Sequence, residues 1–288
     1  MSTNPKQLLR DLLWTVNSPS LIDSQRVPTR ITADQIDVNH LVAFFSDRPS
    51  RKVGHYFERL LLYWLKHIRR VDIVAHNLQI HSGERTLGEI DFLYRDEQSQ
   101  LVHLEAAVKF YLYQPDHAVL GSHFIGPNVR DTFERKMHRL FLHQLPLSVE
   151  HIPDVDSREA FVKGRIFYDH NAPLPSRLPP RMSADHLTGS ILRLQQWKNL
   201  AGATDVRYHI LSKPFWLSEC HYETDAPILR SLTDAQTAVR NLFAEYPTPV
   251  LISQFNVGSE THTETDRIFI VPDDWPLPGE ASPAKTSL

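Results

Sequence analysis

Cysteine is nearly missing. Cys220 is the one cysteine in 288 residues, so no disulfide can form within the chain, which fits a reducing compartment. Glycine is scarce, at ten residues. The sequence has no Gly-x-x-x-x-Gly-Lys-Ser/Thr, no Gly-x-Gly-x-x-Gly and no Gly-x-Ser-x-Gly. That argues against a phosphate-cradling loop, a nucleotide cofactor and a serine-hydrolase elbow. No apolar run approaches the roughly 18 residues of a membrane span. The first ten residues hold no apolar signal core, so the expectation is a soluble cytoplasmic protein with no membrane partner. A basic excess is missing too: 31 Lys and Arg face 34 Asp and Glu, a net charge of −3 with sixteen histidines neutral. Contact with a polyanion would need a local basic patch. The histidines show no His-Glu-x-x-His or paired Cys/His spacing, so zinc is not expected. Cys220-His221 reads as a buried inert cysteine beside a histidine.

What is present suits a globular chain: 41% hydrophobic and 23% charged residues, enough for one or two domains. Helical spacing predicts helices over 7–16, 35–46, 54–65, 131–145, 184–199 and 233–245. Apolar, β-branched and aromatic runs predict strands over 71–80, 86–94, 101–112, 161–168, 206–212, 249–255 and 266–271. Pro173, Pro175, Pro179 and Pro180 mark a long connection or boundary. The order predicts an α/β fold with a sheet of mixed direction. The expected division is an N-terminal helical segment (1–50), a core (51–170), a C-terminal α+β extension packed on it (171–272) and a tail (273–288).

The chemistry concentrates in 88–109. Residues two apart on a strand share a face. Asp91 therefore shares one with Glu89, and Glu105 shares one with His103, Ala107 and Lys109. If the two strands pair, Asp91 and Glu105 point to the same side, with room above Ala107. Two carboxylates suit a hard cation such as Mg²⁺ or Mn²⁺, which acidifies water and polarises a phosphoryl oxygen. A lysine beside them can orient that water. Plainer readings exist for each residue. Asp91 and Glu105 can be ordinary strand carboxylates, although Glu105 lies in an apolar run where an unpaired acid is costly. Lys109 can be a snorkelling edge lysine. Glu58 can pair with Arg59 or Arg51, and the bases of 130–139 can be the wet face of a helix.

Gly-Glu-Ile-Asp-Phe-Leu, a polar turn, and Leu-Val-His-Leu-Glu resemble the core of the PD-(D/E)XK nuclease superfamily over roughly 54–168. The resemblance implies a restriction-endonuclease-like αβββαβ core, plus the N-terminal helices and the C-terminal α+β extension. It puts the metal-binding carboxylates on Asp91 and Glu105. Gly54-x-x-Phe57-Glu58 matches the first helix and makes Glu58 a third candidate. The pattern's Glu-x-Lys would place lysine at 107, where this chain has Ala107; Lys109 is one strand step on, roughly 6.6 Å away. On the helix after the strands, Lys136, then Arg130 and Arg135, are candidates for the nucleic-acid backbone. The whole chain also resembles an uncharacterised bacterial family near this superfamily. The resemblance implies a Mg- or Mn-dependent endonuclease acting on DNA, with a homodimer left open. The alternative is a nuclease-fold protein without catalysis that binds nucleic acid or serves as an interaction module.

Overall fold

In the computed structural model the described residues are 4–23, 28–47, 50–202, 204–223, 226, 228–257 and 261–276. Among them no helix is long and apolar enough to cross a membrane. The chain opens with helix α1 (Pro5–Asn17), whose cap Asn4 accepts the N–H of Lys6 ahead of a favourable early proline. Helices α2 (Val38–Ser46) and α3 (Val53–Tyr63) follow, and α3 runs on into one wider π turn, Trp64–Ile68. Asp11 of α1 is fully buried. It accepts from Tyr56 Oη at 2.8 Å, Ser218 Oγ at 2.6 Å and Gln7 Nε2 at 3.0 Å. Burial raises its pKa while these bonds resist the rise. Tyr56 and Ser218 tie α1 to α3 and to the segment before residue 220.

Ten strands form one sheet of mixed direction. Hairpin β1 (Asp72–Ser82) and β2 (Arg85–Arg95) leads to β3 (Leu101–Tyr113), antiparallel to β2. Short β4 (Phe124–Ile125) pairs with β3. Helix α4 (Phe133–Arg139), a π turn (Leu140–Gln144) and α5 (Leu147–His151) then cross to β5 (Ser157–Tyr168), parallel to β3. Beyond the prolines come β6 (Leu187–Arg193) and α6 (Leu194–Lys198), then β7 (Val206–Ile210), β8 (His221–Glu223) and α7 (Leu232–Glu245). Strands β9 (Val250–Asn256) and β10 (Thr261–Val271) complete the sheet. Its main order is β1-β2-β3-β5-β6-β10-β9-β7. The fold is mixed α/β, and β5 and β6, on either side of the prolines, are hydrogen-bonded parallel neighbours.

One expectation is overturned here. Residues 184–199 are not a helix but strand β6 followed by α6. Leu187, Ile191, Leu192 and Leu194 imitate helical spacing, but Thr188, Gly189 and Ile191 are poor helix formers. Pairing then decides, because β6 fills the slot between β5 and β10. A Cβ on Gly189 would stand 2.6 Å from the Phe167 ring and from the Arg267 carbonyl.

The two faces of β3 serve different layers. Even residues from Val102 to Leu112 join the large core under α1, α2 and α3. Ala107 and Tyr111 on the odd face pack against Phe133, Met137 and Leu140 of the crossing helix. Strands β3 and β5 approach closely at Lys109 and Gly164. Gly164 has φ of +153°, and a Cβ there would fall 1.8 Å from the Lys109 carbonyl oxygen.

Candidate functional site

The β2–β3 ladder runs from Arg95↔Leu101 to Phe92↔Leu104 and stops. One further step in the same register would set Asp91 opposite Glu105. Directly opposed like charges repel across a ladder, and here the strands part. β2 stays with β1 as far as Ser82↔Arg85, while β3 stays with β5 as far as Leu112↔Phe167. Asp91 Oδ2 reaches across the fork and accepts the N–H of Ala106 at 2.8 Å. The side chain thus satisfies a backbone donor that the parted ladder leaves open.

Glu105 is 1% exposed and held at both oxygens. His103 Nε2 lies 2.9 Å from Oε1, and Gln144 Nε2 donates to Oε2 at 2.5 Å. His103 Nδ1 meets Ser148 Oγ at 2.8 Å, and Arg158 Nε donates to that same oxygen at 2.9 Å. A carboxylate only accepts, so His103 Nε2 carries the hydrogen toward Glu105 Oε1; this proton position is assigned from the bond. Gln144 Oε1 in turn accepts from Lys136 Nζ at 2.9 Å. Lys136 and Gln144 are eight residues apart, which in a regular α-helix leaves them about 80° out of line. The π turn over Leu140–Gln144 holds an extra residue and swings Gln144 back toward Lys136.

Burial, and next the charge of Glu105, push Asp91 up to about 7; the Ala106 N–H and Lys136 pull the other way. Glu58 on α3 belongs to the same electrostatic group. Burial raises its pKa, and the charges of Glu89 and Glu105 add to that rise, against His55 and Lys136. Burial lowers the pKa of Lys136, helped by the nearby Lys109, while Glu105 and Asp91 oppose. Among the described residues no lysine or arginine nitrogen forms an ion pair with Asp91 or Glu105.

Lys109 turns elsewhere. Its Nζ lies 2.6 Å from Asp131 Oδ2, which Tyr111 Oη also approaches at 3.4 Å. Arg130 and Arg135 are exposed, on the same segment as Lys136. Asp91, Glu105, Glu58 and Lys136 therefore form one electrostatic group, with Lys109 held at its edge and the two arginines outside.

Could the group hold a metal? Among the described residues no three or more His, Cys, Asp or Glu side chains are placed to do so. A cation would rest on two carboxylates and on water, the donor set that Mg²⁺ accepts while keeping several waters. The hard oxygen donors, and the repulsion between Asp91 and Glu105 that no ion pair among the described residues cancels, fit such an ion.

Sequence reasoning gave Ser148 no role, and it offered Gln144 as a polar residue of the helix after the strands without joining it to Glu105. Parity alone puts His103 beside Glu105; Gln144 reaches it through a π turn that has no sequence signature. In comparison with known proteins, the family described as a domain of unknown function (DUF1853) matches residues 10–271. No curated protein matches the chain.

Proposed function

The chain belongs to the DUF1853 family, and we propose that it is a metal-dependent nuclease-like protein acting on DNA phosphodiester bonds. One observation carries the reading. Two carboxylates on adjacent strands, Asp91 and Glu105, face one partly buried fork with a lysine nearby and, among the described residues, no ion-paired cation. The element order α3-β1-β2-β3-β4-α4-α5-β5, in which β4 is two residues long and α5 five, supports a restriction-endonuclease-like αβββαβ core.

Asp91 and Glu105 would hold Mg²⁺ or Mn²⁺, with Glu58 as a further acid at the rim. When bound, such an ion supplies Lewis acidity at a phosphoryl oxygen and a more acidic water. The residues around it do the positioning. His103 and Gln144 fix both oxygens of Glu105, so the carboxylate does not rotate. Lys136, linked to Glu105 through Gln144, brings a positive charge toward the scissile phosphate; it takes the place first assigned to Lys109. Arg130 and Arg135 extend the positive edge along which a phosphate backbone would run.

A second reading has its own support. Both oxygens of Glu105 already have protein donors and Lys109 is paired with Asp131. This is the pattern of a nuclease fold kept for binding without turnover. Titration with Mn²⁺, followed by cleavage assays on nicked, branched and single-stranded DNA, separates the two. The first reading expects metal binding and cleavage, both lost in Asp91→Asn and Glu105→Gln. Binding of DNA without cleavage at any metal concentration selects the second, and no binding of metal or DNA at low salt overturns both.

A further inference from the structure

A second polar site lies beneath α1, on the other side of the sheet from Glu105. One stripe of α1 and its cap, at positions 10, 14 and 18, carries three buried polar atoms without a hydrogen-bond partner: Arg10 Nε, Trp14 Nε1 and Ser18 Oγ. The spacing of four puts them on one face of the helix. All three residues line a cavity of about 380 Å³ that Arg30 also borders. A neighbouring cavity of about 540 Å³ shares Ser18 and Arg30 and adds Lys163, with Asp23 and Asp185 also on its wall.

The unsatisfied chemistry here is that of donors. Arg10 and Trp14 offer N–H groups only, and Ser18 has a hydroxyl to give. Trp14 is 6% exposed, and its indole N–H has no protein acceptor among the described residues. Arg10 bonds only Gln7 Oε1, at 2.7 Å, and has no carboxylate partner among the described residues. Arg30 is exposed and unpaired among them. A helix C-terminus ordinarily repels an anion, but Lys163 donates to the carbonyls of Val16 and Ser18 there and has no acidic partner among the described residues. Glu219 is the acid in the cavity wall, and Arg165 holds it at 2.7 Å.

From this arrangement we infer that the cavity under α1 binds the phosphate group of a small organic phosphate. Two guanidinium groups with an N–H and an O–H donor match a tetrahedral oxyanion with several acceptor oxygens. The volume exceeds that of phosphate alone, and Leu13, Pro19 and Leu187 give the remaining wall an apolar character suited to the organic part. The inference does not depend on the nuclease reading, because it uses none of that site's residues.

Trp14 supplies the readout. Inorganic phosphate and a nucleoside 5′-monophosphate are titrated at low salt, following tryptophan emission and heat. Saturable binding is expected, with Trp14→Phe abolishing the spectral change, and Arg10→Gln and Arg30→Gln each weakening affinity about tenfold. Arg30→Gln alters an exposed side chain and serves if Arg10→Gln does not fold. Asp91→Asn should leave this binding intact. A tighter mononucleotide gives the apolar wall its ligand part, and equal affinities make free phosphate the ligand. Absence of saturable binding at millimolar phosphate, or binding unchanged in the folded arginine variants, overturns the inference.

Discussion

His103 and Glu105, two residues apart on β3, are joined from Nε2 to Oε1 at 2.9 Å, with 0% and 1% of their side chains exposed. Removing His103 leaves Oε1 of buried Glu105 without a donor while Gln144 still serves Oε2, which costs about 1–3 kcal/mol. His103→Ala should lower stability by that order in urea melts. Loss of the group that orients a ligating carboxylate should also weaken Mn²⁺ binding by roughly 10–100-fold. His103→Gln, which keeps a donor, should recover part of both. A folded His103→Ala protein of unchanged stability would show that the pair contributes nothing.

Asp91 makes stability depend on pH. Its folded pKa, raised to about 7 by burial and by Glu105, exceeds the ordinary value of 3.8. Between those values the folded state binds the extra proton, so stability falls as pH rises through the window and levels off above about 7. Each unit of the elevation corresponds to about 1.4 kcal/mol. Asp91→Asn should flatten the curve between pH 4 and 7 and stabilise the apoprotein at pH 8. Metal should oppose the effect, binding more tightly as pH rises toward 8. Thermal melts across pH, with and without Mn²⁺, test this; a parallel curve in the variant would refute it.

Lys136 and Lys109 should separate cleanly. Lys136 reaches Glu105 through Gln144, whereas Lys109 is committed to Asp131. Under the nuclease reading Lys136→Met lowers single-turnover cleavage by on the order of 100-fold. Lys109→Met breaks a half-exposed ion pair and costs about 1 kcal/mol or less, with a smaller effect on rate. The reverse order would return the water-positioning role to Lys109.

Gly164 has no tolerated replacement. Its Cβ would overlap the Lys109 carbonyl at 1.8 Å, and backbone on both sides is fixed by the β3–β5 ladder. Gly164→Ala should destabilise by more than about 4 kcal/mol, seen as loss of soluble protein. Gly54→Ala, with nothing within 4 Å of the added carbon, is the control.

Cys220 should be silent. Burial pushes its thiol up to about 12, so little thiolate forms at neutral pH. Iodoacetamide should leave the folded protein unmodified and label it once in urea. Rapid native labelling would contradict the burial.

Much of the site could be read from the chain because strand parity is local. Asp91 two residues from Glu89, and Glu105 two from His103 and four from Lys109, share their faces by the pleat alone. The strands over 86–94 and 101–112 and the crossing helix lie within a few residues of β2, β3 and α4 with its π turn. Parity does not say where a long side chain ends. Lys109 shares the face of Glu105, yet Asp131, distant in sequence, takes its ammonium. Helical spacing over 184–199 misled because β6 is made by its neighbours: Gly189 fits only between the Phe167 ring and the Arg267 carbonyl. Long-range terms of that kind carry no local signature.

The bond from the Ala106 amide to Asp91 turns one backbone nitrogen into a gauge. When Asp91 is ionised the amide faces a full charge, and when it is protonated or drawn toward a ligand the bond weakens. The nitrogen and proton resonances of that single residue should therefore track occupancy of the fork directly. A spectroscopist following Ala106 would see the carboxylate's state without labelling any side chain, and without a substrate in hand.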